Sequence, residues 1–380
     1  VTEARRSLFR EIVRSLERTP RRLPPKLFYD ERGAALFEEI TRLDEYYPTR
    51  TELLILQACL PDVARRVGPG ARVVEFGTGS GDKTALLLDA LEAPEQLVLI
   101  DISETQLLEV AQGFEARHPG LPVVPMVADY TLPYRLPRRQ GEGAVPAATR
   151  SEAMGTEAMR PGAILSGAMR SGAMRSGAMR SGTARSGAAR HATVPGGRSH
   201  SDPAASGPTL FFFPGSTLGN FEPHEARGFL ANMARSAGRD AALLLGVDRV
   251  KPRSILEPAY DDARGVTAAF NRNALHHLNR ELGGNFDPEA FAHRAPWNAE
   301  ASRIEMHLVS LARQEVRLDA GLEGEPPFHL TLDAGEVIVT EHSYKYAPDQ
   351  LDGLVRSAGW RVTRRWTDPN AWFDVLYLER

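Results

Sequence analysis

The stretch GTGSGDKT, Gly77 to Thr84, constrains this chain more than any other, because an apolar run, RVVEF, leads into it and a leucine-rich helical pattern, TALLLDAL, leads out. A strand that turns through glycines into a helix brings the backbone close to a ligand with no Cβ in the way. It also presents unpaired amides at the helix start. Three ligands compete for such a turn. A phosphate-cradling loop requires G-x-x-x-x-G-K-[ST], but Asp82 stands where the last glycine belongs, and its carboxylate would face the phosphates. The dinucleotide fingerprint G-x-G-x-x-G is disfavoured more mildly, because Gly81 comes one residue early. The pattern E-x-G-x-G-x-G, which suits S-adenosylmethionine, is matched in full by Glu75, Gly77, Gly79 and Gly81. Asp101 closes the next apolar run, QLVLID, where a parallel strand offers a carboxylate to ribose hydroxyls. Asp129 closes VVPMVAD and is placed to reach the adenine end. Helix capping is the competing role, above all for Asp101 ahead of Ser103 and Glu104.

From Arg72 to about Val250, apolar runs alternate with amphipathic helices: RVVEFG, QLVLIDIS, VVPMVADY, TLFFFPGST and DAALLLGVD as strands, with helices between them. Strands without polar alternation imply a parallel sheet covered on both faces, which is a doubly wound, Rossmann-like α/β domain. The alternation is interrupted between about Arg138 and Pro208, where GAMRSGAMRSGAMRSG repeats every five residues. Small residues and spaced arginines bury too little surface to offset ordering entropy, so a disordered insertion is expected. An arginine-bearing tether for RNA is the alternative.

The flanks read differently. TEARRSLFREIVRSLERT places Leu8, Ile12, Val13 and Leu16 on one helical face, and the proline-rich PRRLPPKLFYDERG ends that helix. Phe28, Tyr29, Phe37, Tyr46 and Tyr47 cluster next. Core packing is the ordinary fate of such rings, but Tyr46 and Tyr47 fall in the polar, turn-like DEYYPTR, where a phenol more often lines a site. Beyond Val250, SILEPAYDDARGVTAAFNRNALHHLNREL reads as helix, in two pieces after Pro258, and AEASRIEMHLVSLARQEVRLD, PFHLTL and EVIVTEHSYKY as antiparallel strands. His276 and His277 are adjacent on a helix and point apart, which disfavours a shared metal. The last section, a helix and then RVTRRWTD and AWFDVLYLER, returns to the sheet as an antiparallel edge.

Composition excludes several classes. With 46 Lys+Arg against 49 Asp+Glu the net charge is -3, which does not favour a polyanion partner. Cys59 is the only cysteine, and no CxxC or HExxH pattern occurs, so neither an intrachain disulfide nor a zinc site is expected. No apolar run has membrane-spanning length and no signal-peptide run opens the chain. A cytoplasmic monomer without a membrane or nucleic-acid partner is the expectation.

Six separated blocks, LPPKLFYDERGAALFEEITRLDEYYPTR, VVEFGTGSGDKT, FFFPGSTLGNF, YDDARGVTAAFNRN, IEMHL and VTEHSYKY, together resemble in order and spacing the histidine Nα-methyltransferases of ergothioneine biosynthesis. The resemblance covers nearly the whole chain apart from the insertion. It implies a class I methyltransferase that uses S-adenosylmethionine, without a metal, to convert L-histidine into hercynine by three successive methylations. It also implies a discontinuous α+β substrate domain, residues 1–50 and 251–345, beside a methyltransferase domain, residues 51–250 and 346–380, that carries the insertion at 138–208.

Carried across, the resemblance places the cofactor on Gly77, Lys83, Asp101, Asp129 and Tyr130, with Lys83 paired to the methionine carboxylate. Tyr46, Asn220 and Tyr260 match positions that hold the substrate carboxylate and amine. Glu341 and Ser343 match those that hydrogen-bond the imidazole, and Met306 one that packs beside it. Tyr29, Phe37 and Gly215 also match pocket positions, and Asn220 and Tyr29 are the catalytic candidates. Tyr130 departs from the phenylalanine common there, and His342 is expected to face away from Glu341 and Ser343, as strand alternation demands. A relative acting on another amino acid or small amine is the alternative. A nucleic-acid amino-methyltransferase would need [DNS]-P-P-[YFW], which FFFPGSTLGN does not supply.

Overall fold

A computed structural model describes residues 2–132, 134–139, 207–236, 238 and 240–380. Of the expected insertion, only residues 138, 139, 207 and 208 fall within these; the arginine repeat lies outside the described residues.

The chain begins with α1 (Thr2–Leu16), which buries Phe9, Ile12 and Leu16 along one face. A short strand β1 (Arg21–Arg22) and a 3-10 turn at Pro25–Phe28 follow. Then comes α2 (Glu31–Thr41), whose start is capped by the Asp30 carboxylate accepting from the Gly33 N–H at 2.8 Å. The sequence reading had no helix here. DEYYPTR is also no turn: α3 (Tyr47–Val67) starts within it, because Pro48 at the second helical position, where the N–H has no intrahelical partner, costs no hydrogen bond.

The alternating region forms β2 (Arg72–Phe76), α4 (Asp82–Ala90), β3 (Gln96–Asp101), α5 (Glu104–Arg117), β4 (Val123–Val127), β5 (Thr209–Phe213), α6 (Pro223–Ser236) and β6 (Ala241–Asp248). Downstream lie α7 (Arg253–Leu256), α8 (Val266–Leu282), β7 (Phe291–Arg294), β8 (Trp297–Asn298), β9 (Arg303–Ser310), β10 (Gln314–Leu318), β11 (Phe328–Leu332) and β12 (Val337–Tyr344). The chain closes with α9 (Pro348–Ser357), β13 (Arg361–Thr367) and β14 (Phe373–Glu379).

A seven-stranded sheet has the order β13-β14-β6-β5-β2-β3-β4, parallel from β6 to β4, with β14 antiparallel to β6 and β13 antiparallel to β14. Alternate residues serve opposite faces. Phe211 and Phe213 of β5 pack with Phe229, Leu230 and Met233 of α6, while Leu210 and Phe212 pack with Ile55 and Leu56 of α3 and Leu87 of α4. Both faces are covered, hence the unbroken apolar runs. Chain order reverses between β2 and β5, and the carboxyl ends of the strands at such a switch point are where ligands bind.

A second sheet has the order β1-β12-β9-β7, with β8 also paired to β9. It encloses its own core with α1, α2 and α8, including Phe28, Phe270, Leu275, Met306 and Ile338. The helical segment after Val250 is divided as expected around Pro258, with α8 starting at Val266. The fold is therefore the expected doubly wound sheet with a second α+β layer. Among the described residues, no helix is long and apolar enough to cross a membrane.

Candidate active site

The glycine turn sits at the carboxyl end of β2. Gly81 caps α4 in a left-handed conformation, φ +77°, and a Cβ there would lie only 3.0–3.1 Å from Val110 and Phe114. Turn and close approach both demand glycine. The turn is pinned by Asp101, whose carboxylate accepts from the Thr78 N–H and the Ser103 N–H, each at 2.9 Å. Asp101 thus serves the start of α5 and the cofactor turn at once. Tyr130 lies beside Gly77: its hydroxyl is 3.4 Å from where a Cβ on Gly77 would stand, and its ring packs edge-on against Phe76. Asp129 is engaged in its own turn, accepting from the N–H and hydroxyl of Thr131 at 3.0 and 2.5 Å.

Glu75, at 2 % exposure, has a buried Oε2 with no hydrogen-bond partner. Burial raises its pKa to about 8, opposed only in part by the Thr84 side chain and nearby Lys83. A buried carboxyl whose Oε2 has no hydrogen-bond partner, next to a glycine turn on which nothing stands within 4 Å of a Cβ at Gly79, fits a cationic ligand such as S-adenosylmethionine, which would favour its ionised form.

Lys83 is already engaged. Its Nζ donates to Glu52 of α3 at 2.5 Å, and the same carboxylate accepts from the Gly215 N–H at 2.9 Å. Gly246 of β6 makes room for it, since a Cβ there would lie 1.8 Å from Glu52 Oε1. Lys83, Gly215 and Glu52 therefore form one unit. Sequence reading missed Glu52, although it shares a helical stripe with the buried Leu56, Cys59 and Val63, where a carboxylate is out of place.

The aromatic candidates form a chain of edge-to-face contacts: Tyr29 to Phe37 at 6.1 Å, Phe37 to Tyr46 at 6.3 Å, and Tyr46 to Tyr260 at 6.3 Å between ring centroids. Burial raises the phenols of Tyr29, Tyr46 and Tyr260, each with Glu341 among the negative charges reinforcing the shift. They stay protonated and stand around that carboxylate. Tyr47 does not join them. It turns to the other side, packs on Trp372 at 5.3 Å and donates to Asp248 at 2.6 Å, because consecutive helical residues diverge.

The polar end of the pocket depends on a β-bulge. Val339 pairs with His307 and Glu341 with Met306, leaving Thr340 as the extra residue. Its hydroxyl donates to Asn271 Oδ1 at 2.6 Å and also lies 3.0 Å from the Met306 carbonyl. A bulge re-aims the residues after it. Here Ser343 reaches Tyr260 at 2.8 Å, while His342 turns away to Glu222 at 2.8 Å, as alternation required. Glu341 is 9 % exposed, and its only hydrogen bond among those described is a long one from Asn220 Nδ2, at 3.5 Å. Burial, opposed by Lys345, lifts its pKa to about 7.

Beneath the pocket lies a charged cluster that sequence reading also missed. Lys345, 1 % exposed, donates to Tyr260 Oη at 2.7 Å and Ser343 Oγ at 2.8 Å and pairs with Asp248 at 2.9 Å. Asp248 also binds Lys251 at 2.5 Å. Burial would raise the Asp248 pKa, but Lys345 and Lys251 outweigh it and hold the group ionised. Among the described residues no group of three or more His, Cys, Asp or Glu is arranged to hold a metal ion. His277 is structural, its Nδ1 2.9 Å from the Leu27 carbonyl.

The family described as histidine-specific, SAM-dependent methyltransferases matches residues 8–150 and 189–380. Histidine N-alpha-methyltransferase of Mycolicibacterium smegmatis is 34% identical, covering 99% of this chain and 96% of the relative. The protein of the same name from Mycobacterium tuberculosis is 34% identical over 95% of this chain and 91% of its own. Ergothioneine biosynthesis protein 1 of Schizosaccharomyces pombe is 23% identical over 97% of this chain but 40% of its own length. With nearly its whole length matched, glycine turn and pocket blocks included, the chain belongs to the histidine-specific, SAM-dependent methyltransferases.

Proposed function

We propose that this enzyme methylates the α-amino nitrogen of L-histidine, in three successive transfers that end in hercynine. The observation that carries the reading is the meeting of Glu341, Asn220, Ser343 and Tyr260 with the Tyr29–Phe37–Tyr46 wall. The names of the relatives point to the same substrate.

When bound, S-adenosylmethionine supplies an electrophilic methyl group on a sulfonium. Glu75 would face its positive charge, Lys83 its carboxylate, Asp101 its ribose hydroxyls, and Asp129 with Tyr130 its adenine end; Gly77 lets the backbone come close. The residues across the pocket hold the nucleophile. Tyr46, Tyr260 and Asn220 orient the amino-acid head, and Gly215 shapes the floor. The α-amino group must shed its proton before it attacks, and a water-poor, aromatic-walled site favours the neutral amine over the ammonium. Positioning carries most of the rate. Glu341 accepts from the imidazole N–H and Ser343 serves its other nitrogen, with Met306 beside the ring. Tyr29 and Phe37 face the growing ammonium, whose cation–π attraction, about 0.5–2 kcal/mol, offsets the N–H bonds lost with each methyl.

Incubation of the purified chain with L-histidine and S-adenosylmethionine, followed by mass spectrometry, should show three stepwise gains of a methyl group. No methylation by a chain that still binds S-adenosylhomocysteine would overturn the substrate assignment.

A further inference from the structure

Lys345 is buried, touches the pocket hydroxyls and has no part in the reaction as proposed above. An ammonium has three N–H donors and no acceptor. It donates to Ser343 Oγ (2.8 Å) and Tyr260 Oη (2.7 Å) and is ion-paired with Asp248 (2.9 Å), and because it cannot accept, the direction of the two hydrogen bonds is unambiguous.

The two hydroxyls also bond each other at 2.8 Å. Each has one proton. Both accept from Lys345, and one proton lies between them, so one remains to leave the pair. The phenol is the more acidic hydroxyl and the poorer acceptor, which makes Tyr260 the donor in the mutual bond. Ser343 Oγ then accepts from Lys345 and from Tyr260, filling both of its lone-pair positions. It can only donate to anything further.

We infer that Lys345 is a positioning residue that fixes Ser343 as an obligate donor toward the substrate ring, so that Ser343 and the acceptor Glu341 together select a ring bearing one N–H and one bare nitrogen. This rests on the histidine reading above. Neutral imidazole has that donor–acceptor pair. A ring with an N–H alone would leave the Ser343 proton buried without a partner, and sites built around such a bond discriminate strongly.

The test compares L-histidine with a pyrrolylalanine, whose ring keeps the N–H and has C–H in place of the second nitrogen. The readout is the ratio of their kcat/KM values, with S-adenosylhomocysteine affinity measured alongside. In Lys345→Met, Asp248 keeps Lys251 and Tyr47 as partners, so the ionised carboxylate is not stranded. The ratio should fall about tenfold or more in Lys345→Met and in Ser343→Ala, a hydrogen bond's worth, and the double variant should fall no further. A purely structural role for Lys345 would lower both substrates alike and leave the ratio at the wild-type value, which overturns the inference. Should the Met variant lose S-adenosylhomocysteine binding, Lys345→Gln takes its place: an intermediate ratio supports the inference and a wild-type ratio overturns it. If the wild-type chain fails to methylate histidine, the proposed reaction falls and takes this inference with it, a result distinct from an unchanged ratio.

Discussion

Glu52 of α3 and Lys83 of α4 meet in a 2.5 Å ion pair, and the Gly215 N–H binds the same carboxylate. The pair ties the first helix after the glycine turn to the loop after β5, so it shapes the cofactor end of the site. Glu52→Gln should destabilise the chain by about 1–3 kcal/mol and weaken S-adenosylmethionine binding several-fold. Chemical denaturation and calorimetric titration would show this. Wild-type values in both would mean that the pair positions nothing.

Glu75 makes pH a reporter of cofactor binding. Its folded pKa, about 8, lies above the ordinary 4.5 because of burial. Its contribution to the stability of the ligand-free chain is therefore complete below about pH 4.5 and lost as pH rises through about 8. A cationic ligand favours the ionised form, so binding at pH 7 should release a proton. Calorimetry in buffers of different ionisation enthalpy should detect the release in the wild type and not in Glu75→Gln; equal proton counts in the two would reject the assignment.

Glu341 should control substrate choice. Its carboxyl, at a pKa of about 7 through burial, is ionised above that pH and protonated below it. The charge-assisted bond to an imidazole N–H is accordingly present above pH 7 and lost below. We expect the wild-type advantage in kcat/KM over Glu341→Gln, about 10- to 100-fold at pH 8, to shrink as pH falls to 6. Glu341→Ala should also weaken discrimination between histidine and phenylalanine. A pH-independent advantage, or unchanged discrimination, would contradict the role.

Thr340 holds the bulge that aims Glu341. Thr340→Val removes the hydroxyl and leaves Asn271 Oδ1 buried without its donor, at a cost of about 1–3 kcal/mol. Loss of kcat/KM for histidine, with unchanged affinity for S-adenosylhomocysteine, is the expected pattern. Full activity would show that the bulge survives on backbone bonds alone.

Much of this was legible in the residues. Unbroken apolar runs such as LFFF betrayed a sheet buried on both faces, and E-x-G-x-G-x-G separated one ligand from two others before any geometry was known. The individual pocket residues came from the resemblance, and the structure brings Tyr29, Phe37, Tyr46, Tyr260, Asn220, Glu341 and Ser343 into one place. What stayed hidden were partnerships between distant segments. Lys345 reads as an ordinary strand-end lysine until β12 is laid against the end of β6, where Asp248 waits. Glu52 was detectable as a carboxylate on an apolar stripe, but its partners at 83 and 215 were not. The helix at Glu31–Thr41 escaped because its start depends on the Asp30 cap, in a stretch dominated by prolines and aromatic rings.

The pairing of β14 with β6 has a consequence for synthesis. Strands β2 to β6 are made early, yet the outer edge of β6 is covered by Phe373–Glu379, from Ala242 to Asp248. Until those residues leave the ribosome, the nascent sheet presents an apolar, unpaired edge, the kind of surface that recruits wrong partners. The enzyme must therefore be guarded longest at the strand whose last residue, Asp248, will later anchor its pocket.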